Sequence, residues 1–379
     1  MTTSVELDDF RASVRKLAET HIRPRAADTD ETGEIPEHSR SAFREGGLSG
    51  LAFPEELGGS DAGLLFQVTA VEEIARVCAS SASILLTPWA ALTPVVRYAD
   101  PGLAGLVVPP VAEGRFLASF CLTEPGGGSD LPGLKTRAVR VTNGWRIDGS
   151  KRFISNAPHS EWYAVLARTG ERDYGVFLIH RGDAGLSFGA PERKMGMHGF
   201  PTADLHLDEC VVSDERVVGD PTQGYHYMMG TLTYTRPLVA AQALGIAQGA
   251  LEQAVSYTAN RQQFGTTVSR FQLVRAMVAE MRTKIEAARA LLHHACERAG
   301  ENTAEVRALV SMAKLFCTDT AMEVTTTAVQ LHGGNGYMRD YPVERMMRDA
   351  KVTQIWEGTN EIQKMLIAKD AFAKYERSK

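Results

Sequence analysis

Along the first hundred residues, apolar positions recur at steps of three and four. Leu7, Phe10, Val14 and Leu17 mark one face of a helix, and Pro24 ends the pattern. FPEELGGS (53–60) reads as a loop and FQVTAVEEIARVCA (66–79) as a second amphipathic helix. Apolar character continues through SILLTPWAALTPVV (83–96), where Pro88 and Pro94 predict interruptions. The Pro/Gly-rich ADPGLAGLVVPPVAEG predicts a connection with one short helix. From Phe116 the period drops to two. AVRVTNGWRIDG (138–149) predicts a hairpin in which Asn143-Gly144 supplies positive φ at both turn positions, with another turn at Asp148-Gly149. WYAVLAR (162–168), YGVFLIH (174–180) and ADLHLDECVV (203–212) predict further strands, together a small sandwich or barrel of about 100 residues.

After Gly224 the helical period returns in longer runs. Thr235 to Asn260 predicts a helix with Pro237 near its start or at a kink, and Phe271 to Arg298 carries Val274, Val278, Met281, Ile285, Ala288 and Leu292 on one face. Asn302 and Glu305 read as a capping box that opens a third helix, with Val306, Leu309, Val310, Ala313, Phe316 and Val324 on a face up to Leu331, stopped by Gly333-Gly334. Asn360 and Gln363 give a similar start signal for a last helix reaching Tyr375. Successive amphipathic helices predict an antiparallel bundle. The chain therefore reads as α+β: a helical domain (1–115), a middle β domain (116–222) and a helical bundle (223–379).

Composition narrows the function classes. The 379 residues allow several lobes, and 44% hydrophobic with 23% charged residues is ordinary for a globular protein. A net charge of −5 leaves no electrostatic footprint for nucleic acid or an anionic membrane. Cys78, Cys121, Cys210, Cys296 and Cys317 lack CxxC spacing and read as reduced, mostly buried thiols. The N-terminus lacks a signal-peptide pattern and no apolar run reaches membrane-spanning length, so a cytoplasmic enzyme is expected.

Candidate chemistry concentrates between Val329 and Gln363. Glu357 lies between Trp356 and Gly358 on a short connection before a helix, a suitable place for a carboxylate needing a dry environment; an exposed loop glutamate is the alternative. In FCLTEPGGGSD (120–130), three glycines let backbone N–H groups approach an anion, with Thr123 and Ser129 as hydroxyl donors, or else form a simple turn. Phe153 and Ser155 fall on the same side of an extended segment and suit a flat heterocycle, or a core ring and a turn serine. Arg261 offers a fork for phosphate, and Gly333 and Gly334 admit a ligand close to backbone; surface charge and a C-cap are the alternatives. His293 and His294 do not face one way, no cluster has metal-ligand spacing and there is no GxSxG, so neither a metal centre nor serine hydrolysis is expected.

Taken together, TEPGGGSD, GSKRFISN, TRPLVAAQALGIAQ, RQQFG, QLHGGNGY, YPVERMMRDAK and QIWEGTNEIQ resemble the acyl-CoA dehydrogenase family, in that family's order and over nearly the whole chain. The resemblance implies an N-terminal helical domain, a middle β-barrel or sandwich, a C-terminal four-helix bundle, FAD as cofactor and a homotetramer in which a neighbouring subunit completes each flavin site. It places Phe120, Leu122, Thr123, Gly128 and Ser129 along the flavin, with Phe153 on the ring, Ile154 beside it and Ser155 near N5. It assigns Arg261, Gln263, Phe271, Gln272, Gln330, Gly333 and Gly334 to the second subunit's contribution, and Thr359 and Glu361 to the first subunit's site. Ser129, Thr233, Arg236 and Gly358 fall at substrate-binding positions, and Glu357 at that of the catalytic base in the main branch. The other branch places its base at the position of Thr235, which cannot serve. The implied reaction is α,β-dehydrogenation of an acyl-CoA to the trans-2-enoyl thioester, in fatty acid and lipid metabolism, with electron-transfer flavoprotein as acceptor.

The chain departs from the family pattern at Thr233, where an acidic or amide residue is usual, at His198 and Phe200, where Arg and Ser are common, and after Asp100, where a charged helix is expected. Thr233 leaves a thioester of a carrier protein as an alternative to CoA. An oxidase on the same fold and a non-catalytic scaffold are the other readings.

Overall fold

Why the first third is helical is clearer from packing than from propensity. The computed structural model describes residues 4–301 and 303–377. Six helices come first: α1 (Ser4–Leu17), α2 (Ala26–Thr32), α3 (Glu37–Glu45), α4 (Leu64–Ala75), α5 (Ala79–Tyr98) and α6 (Pro101–Ala112). α1 is continued by a π turn over Ala18–Ile22 before the chain reaches Pro24. α4 is not amphipathic: every residue from Gln67 to Ala75 is buried. α5 runs unbroken through Pro88 and Pro94, because protein surrounds it up to Val95 and that packing outweighs the roughly 3 kcal/mol a helical proline costs. It thereby has the length and apolarity of a membrane span, but as a buried core helix. The expected connection after Asp100 is largely α6, capped by the Asp100 carboxylate accepting from Gly102 N at 2.8 Å.

The middle region is one eight-stranded sheet: β1 (Ala118–Cys121), β2 (Arg137–Val141), β3 (Gly144–Ser155), β4 (Trp162–Arg168), β5 (Tyr174–His180), β6 (Leu186–Phe188), β7 (Thr202–Val212) and β8 (Val217–Val218). Its order is β6-β7-β3-β2-β4-β5-β8, with β1 parallel to β4. Ile147 and Leu205 share one core with Val165 and Phe177 from strands elsewhere in the sheet, and Tyr163 meets Phe188, so the sheet folds over on itself. Two turns differ from expectation. The β2–β3 loop is Thr142-Asn143, with Val141 paired to Gly144 and positive φ at Gly144 alone. Asp148-Gly149 is not a turn. Gly149 is a bulge within β3 (φ +150), where a Cβ would lie 2.6 Å from Thr136 Oγ1.

The last part holds α7 (Gly224–Asn260), α8 (Gln272–Arg298), α9 (Ala304–His332), α10 (Val343–Thr353) and α11 (Asn360–Arg377), with a small ribbon, β9 (Gln262–Gln263) and β10 (Thr266–Thr267), after α7. α7 starts eleven residues before the predicted Thr235 and continues through Pro237, spanning roughly 55 Å. Gly245 and Gly249 let α4 press on it: a Cβ there would sit 2.2 Å from Glu72 O and 2.1 Å from Arg76 O. Asn302 of the expected capping box lies outside the described residues; Thr303 is the N-cap, accepting from Val306 N. At α11 the capping hydroxyl belongs to Thr359, not Asn360.

Burying α4 against α7 carries charge into the core. Glu73 accepts from Arg11 (2.9 Å), Arg15 (2.8 Å) and Arg76 (3.2 Å), and Arg76 also holds Glu252 at 2.7 Å and pairs with Glu19. Glu72 binds Arg289 of α8 at 2.9 Å. The cluster fastens α1, α4, α7 and α8 to each other. Arg76→Met would strand buried carboxylates, and we expect a loss of about 3 kcal/mol in urea unfolding. A wild-type midpoint would show that solvent already screens the cluster.

Candidate active site

Six residues, 354–359, join α10 to α11. Glu357 in their middle adopts the left-handed conformation (φ +54), followed by Gly358 at φ +89. For glutamate that backbone costs about 1 kcal/mol and persists only where surroundings enforce it. It turns the side chain toward α7, where Thr235 Oγ1 donates to Glu357 Oε2 at 2.8 Å and Arg236 Nε donates to the Glu357 carbonyl at 3.2 Å. Burial drives the carboxyl pKa up from the usual range, opposed by the Thr235 hydroxyl and by the charges of Arg236 and Lys314. Thr235, unsuited to act as a base, is thus the base candidate's hydrogen-bond donor. Among the described residues no partner is recorded for Oε1 or for the Glu357 backbone N–H. A proton acceptor and an N–H donor are therefore both open at one residue.

Trp356 walls the neighbourhood, its indole edge-on to Phe200 with centroids 6.1 Å apart. Phe200 belongs to the 195–201 loop of the sheet region. That loop is pinned to α10 where the Asp349 carboxylate accepts from Met197 N at 2.5 Å, and burial pushes this carboxyl up to about 6. His198, the other departure, bonds the Lys194 carbonyl and Asp30 of α2, each at 3.0 Å. It is a strut between domains.

The loop also reaches the end of β3, since Asn156 N donates to Pro201 O at 2.7 Å. There Phe153 is 56% exposed at φ +58, an aromatic face held out of the core in a strained conformation, with Arg152 beside it at 4.9 Å. Ser155, two residues on, is half-buried. Ile154, expected beside a flavin, points the other way into the sheet's core, which leaves only its backbone for a ligand. Both side-chain polar atoms of fully buried Asn156 lack a partner, an uncommon state for such groups. The Gly-rich loop sits alongside: Gly126 to Ser129 are exposed, while Phe120 and Leu122 pack toward the helical core. What holds the loop is an ion pair absent from the sequence reading. Lys151, wholly buried, donates to Glu124 at 2.9 Å and to Leu122 O at 3.2 Å, and Glu124 also accepts from Lys135 N and Thr136 N. In the sequence Lys151 looks like a solvated strand lysine.

The remaining candidates divide into two places. Thr233 bonds back to Met229 O within α7, Thr359 caps α11, and Glu361 is exposed beside it. Arg261, Gln263, Gln272, Gln330, Gly333 and Gly334 are exposed at the opposite end of the bundle with half-buried Phe271, where Tyr257 stacks on His332. From Thr235 to Arg261 the chain climbs roughly 39 Å along α7, so the two groups are not walls of one pocket within a single chain. At the ribbon's tip, Phe264 is 91% exposed with φ +52. No group of His, Cys, Asp and Glu suited to a metal occurs among the described residues.

Models of the acyl-CoA dehydrogenase N-terminal, middle and C-terminal domains match residues 4–115, 119–210 and 222–372. The chain is 41% identical over 373 residues to cyclohexane-1-carbonyl-CoA dehydrogenase of Geobacter metallireducens, covering 97% of this chain and 98% of that one. Butyryl-CoA dehydrogenase from Megasphaera elsdenii superposes with a TM-score of 0.93 at 34% identity, covering 98% of this chain and 99% of that one. A chain from the structure of the electron transferring flavoprotein of Acidaminococcus fermentans gives 0.94 at 37% identity, with the same coverage.

Phe153→Gly relieves the left-handed strain while giving up little packing. Urea unfolding of the flavin-free protein is expected to show a gain of about 1 kcal/mol. A comparable loss would mean that the ring is packed after all.

Proposed function

The chain belongs to the acyl-CoA dehydrogenase family, and we propose that Glu357 is the base that removes the α-proton of its acyl thioester substrate. It is an oxidoreductase acting on a CH–CH bond, with FAD as cofactor. The residues present suit that group: an exposed aromatic platform at Phe153, an accessible Gly-rich backbone from Gly126 to Ser129 and orphaned polar atoms on Asn156. Thr123, Ser129, Phe153 and Ser155 would hold it in this chain. Bound FAD supplies the acceptor for the hydride that leaves the β-carbon.

The rest of the reaction falls to the protein. An α-C–H is a weak acid, so the base must be strong and the developing enolate oxygen must be met by donors. Burial of Glu357 raises its basicity, and the Thr235 bond to Oε2 leaves Oε1 for the incoming proton. The Glu357 N–H, presented by the left-handed turn, would meet the thioester oxygen beside the attacked carbon. Trp356 and Phe200 help exclude water. The single observation that carries this reading is a half-buried, strained glutamate with one oxygen engaged by Thr235 and the other open.

Arg236 is turned to the Glu357 carbonyl, so its share in the substrate site is to hold the base's loop; Gly358, Thr233 and Ser129 would line the thioester and its carrier. The reading takes three domains at 1–115, 116–222 and 223–379, and a cytoplasmic homotetramer in which the Arg261–Gln272 and Gln330–Gly334 ends complete a neighbour's FAD site. The roughly 39 Å separation along α7 and the exposed Phe264 support that arrangement. Electron-transfer flavoprotein is the acceptor we propose, supported by the likeness to the Acidaminococcus chain, in the oxidation of fatty or other carboxylic acids.

Glu357→Gln should keep bound FAD and its yellow colour while flavin reduction by substrate slows by at least roughly 10³-fold. The check is anaerobic bleaching against a panel of acyl-CoA thioesters that includes butyryl-CoA and cyclohexane-1-carbonyl-CoA. In the wild type, kcat/KM should fall as pH drops through the raised pKa of Glu357, since only the carboxylate accepts a proton. Bleaching at a near-wild-type rate in the variant would end the assignment.

A further inference from the structure

The turn that carries Glu357 is left-handed at both Glu357 and Gly358, and only Gly358 adopts that backbone freely. Asn360 N donates to Gln354 O at 3.0 Å and closes the turn, but that bond does not determine where the carboxylate points. One face of α9 lies behind it. Lys314 is fully buried there, and its ammonium donates to Gly358 O at 3.0 Å and to Asn360 Oδ1 at 2.9 Å. The Asn360 amide donates to Thr318 Oγ1 (2.9 Å) and Asp319 Oδ1 (2.8 Å), and Asp319 Oδ1 also accepts from Gln354 Nε2 at 2.6 Å. Positions 314, 318 and 319 thus grip residues 354, 358 and 360, on both sides of Glu357.

A lysine in this place is costly. None of its recorded hydrogen bonds goes to a carboxylate, and a methionine would fill the same volume without a charge to desolvate. We propose that Lys314 is a positioning residue for proton abstraction: it locks the turn so that Glu357 faces substrate, and its charge favours the ionised form of the carboxylate. This rests on Glu357 being the base.

The charges facing the pair come from three elements besides the turn: Arg236 on α7, Asp319 on α9 and Glu361 on α11. Burial pushes Lys314 down to about 8, with Arg236 adding to the drop and Glu357 opposing it, so the ammonium persists through neutral pH. Toward Glu357 its charge counteracts burial, as does that of Arg236.

Lys314→Met removes both the donors and the charge at nearly constant volume. Anaerobic stopped-flow reduction of the flavin-loaded variant is expected to show FAD content unchanged, KM within about threefold and kcat at least about tenfold lower, with the acid limb of kcat/KM displaced upward by about one pH unit. A wild-type acid limb or a wild-type kcat overturns the proposal. If this variant yields no flavin-loaded protein, Asn360→Ala decides, because it keeps the charge but removes one of the ammonium's two acceptors together with the turn's bonds to Thr318 and Asp319. A kcat at least about fivefold lower at unchanged KM is then required, and a kcat within about twofold of wild type overturns the proposal. Turnover surviving in Glu357→Gln would strike the base itself, whereas failure confined to the Lys314 and Asn360 variants leaves the base standing.

Discussion

The constraint on which this structure depends is that the carboxylate we propose as the base, that of Glu357, is drawn away from water and must still carry its charge. Burial alone raises the pKa of Glu357 and so favours its uncharged form. Two buried cations and a hydroxyl offset that, and all three come from long helices: Thr235 and Arg236 from α7, Lys314 from α9. Only Thr235 touches the carboxylate; Arg236 and Lys314 bind backbone carbonyls of the turn instead. The same groups therefore supply the field and fix the geometry. A bundle suits this work, because helices packed over many turns hold their side chains more firmly than a loop can hold itself.

Buried charge recurs wherever the architecture must hold something steady. The Glu124–Lys151 pair fixes the Gly-rich loop to β3, Asp349 ties the 195–201 loop to α10, and the Glu72–Glu73–Arg76 cluster joins the N-terminal helices to the bundle. Such pairs contribute little net stability against apolar replacements, but they are intolerant of displacement, since a buried charge that loses its partner is costly. They join the three regions of the chain around Glu357 and Phe153. Gly245 and Gly249 add a steric condition, for α4 packs directly on α7 where any side chain would collide.

Periodicity and turn residues determined much of the architecture: the order helices, strands, helices, the extents of β4 and β5, the stop of α9 at Gly333, and Glu357 on a short connection between helices. These are local properties, set by the spacing of apolar side chains and by the φ preferences of glycine. Local rules failed where packing overrode them, at the prolines of α5, at the bulge of Gly149 and on α4, whose two glutamates are buried in ion pairs. Only the tertiary structure decided who meets whom. Lys314 sits in phase with the apolar stripe Val310, Ala313, Cys317 and Ala321, a faint sign that it is buried. That it bonds a carbonyl 44 residues further on, or that Thr235 serves a glutamate 122 residues away, depends on how helices stack, and no local pattern encodes that.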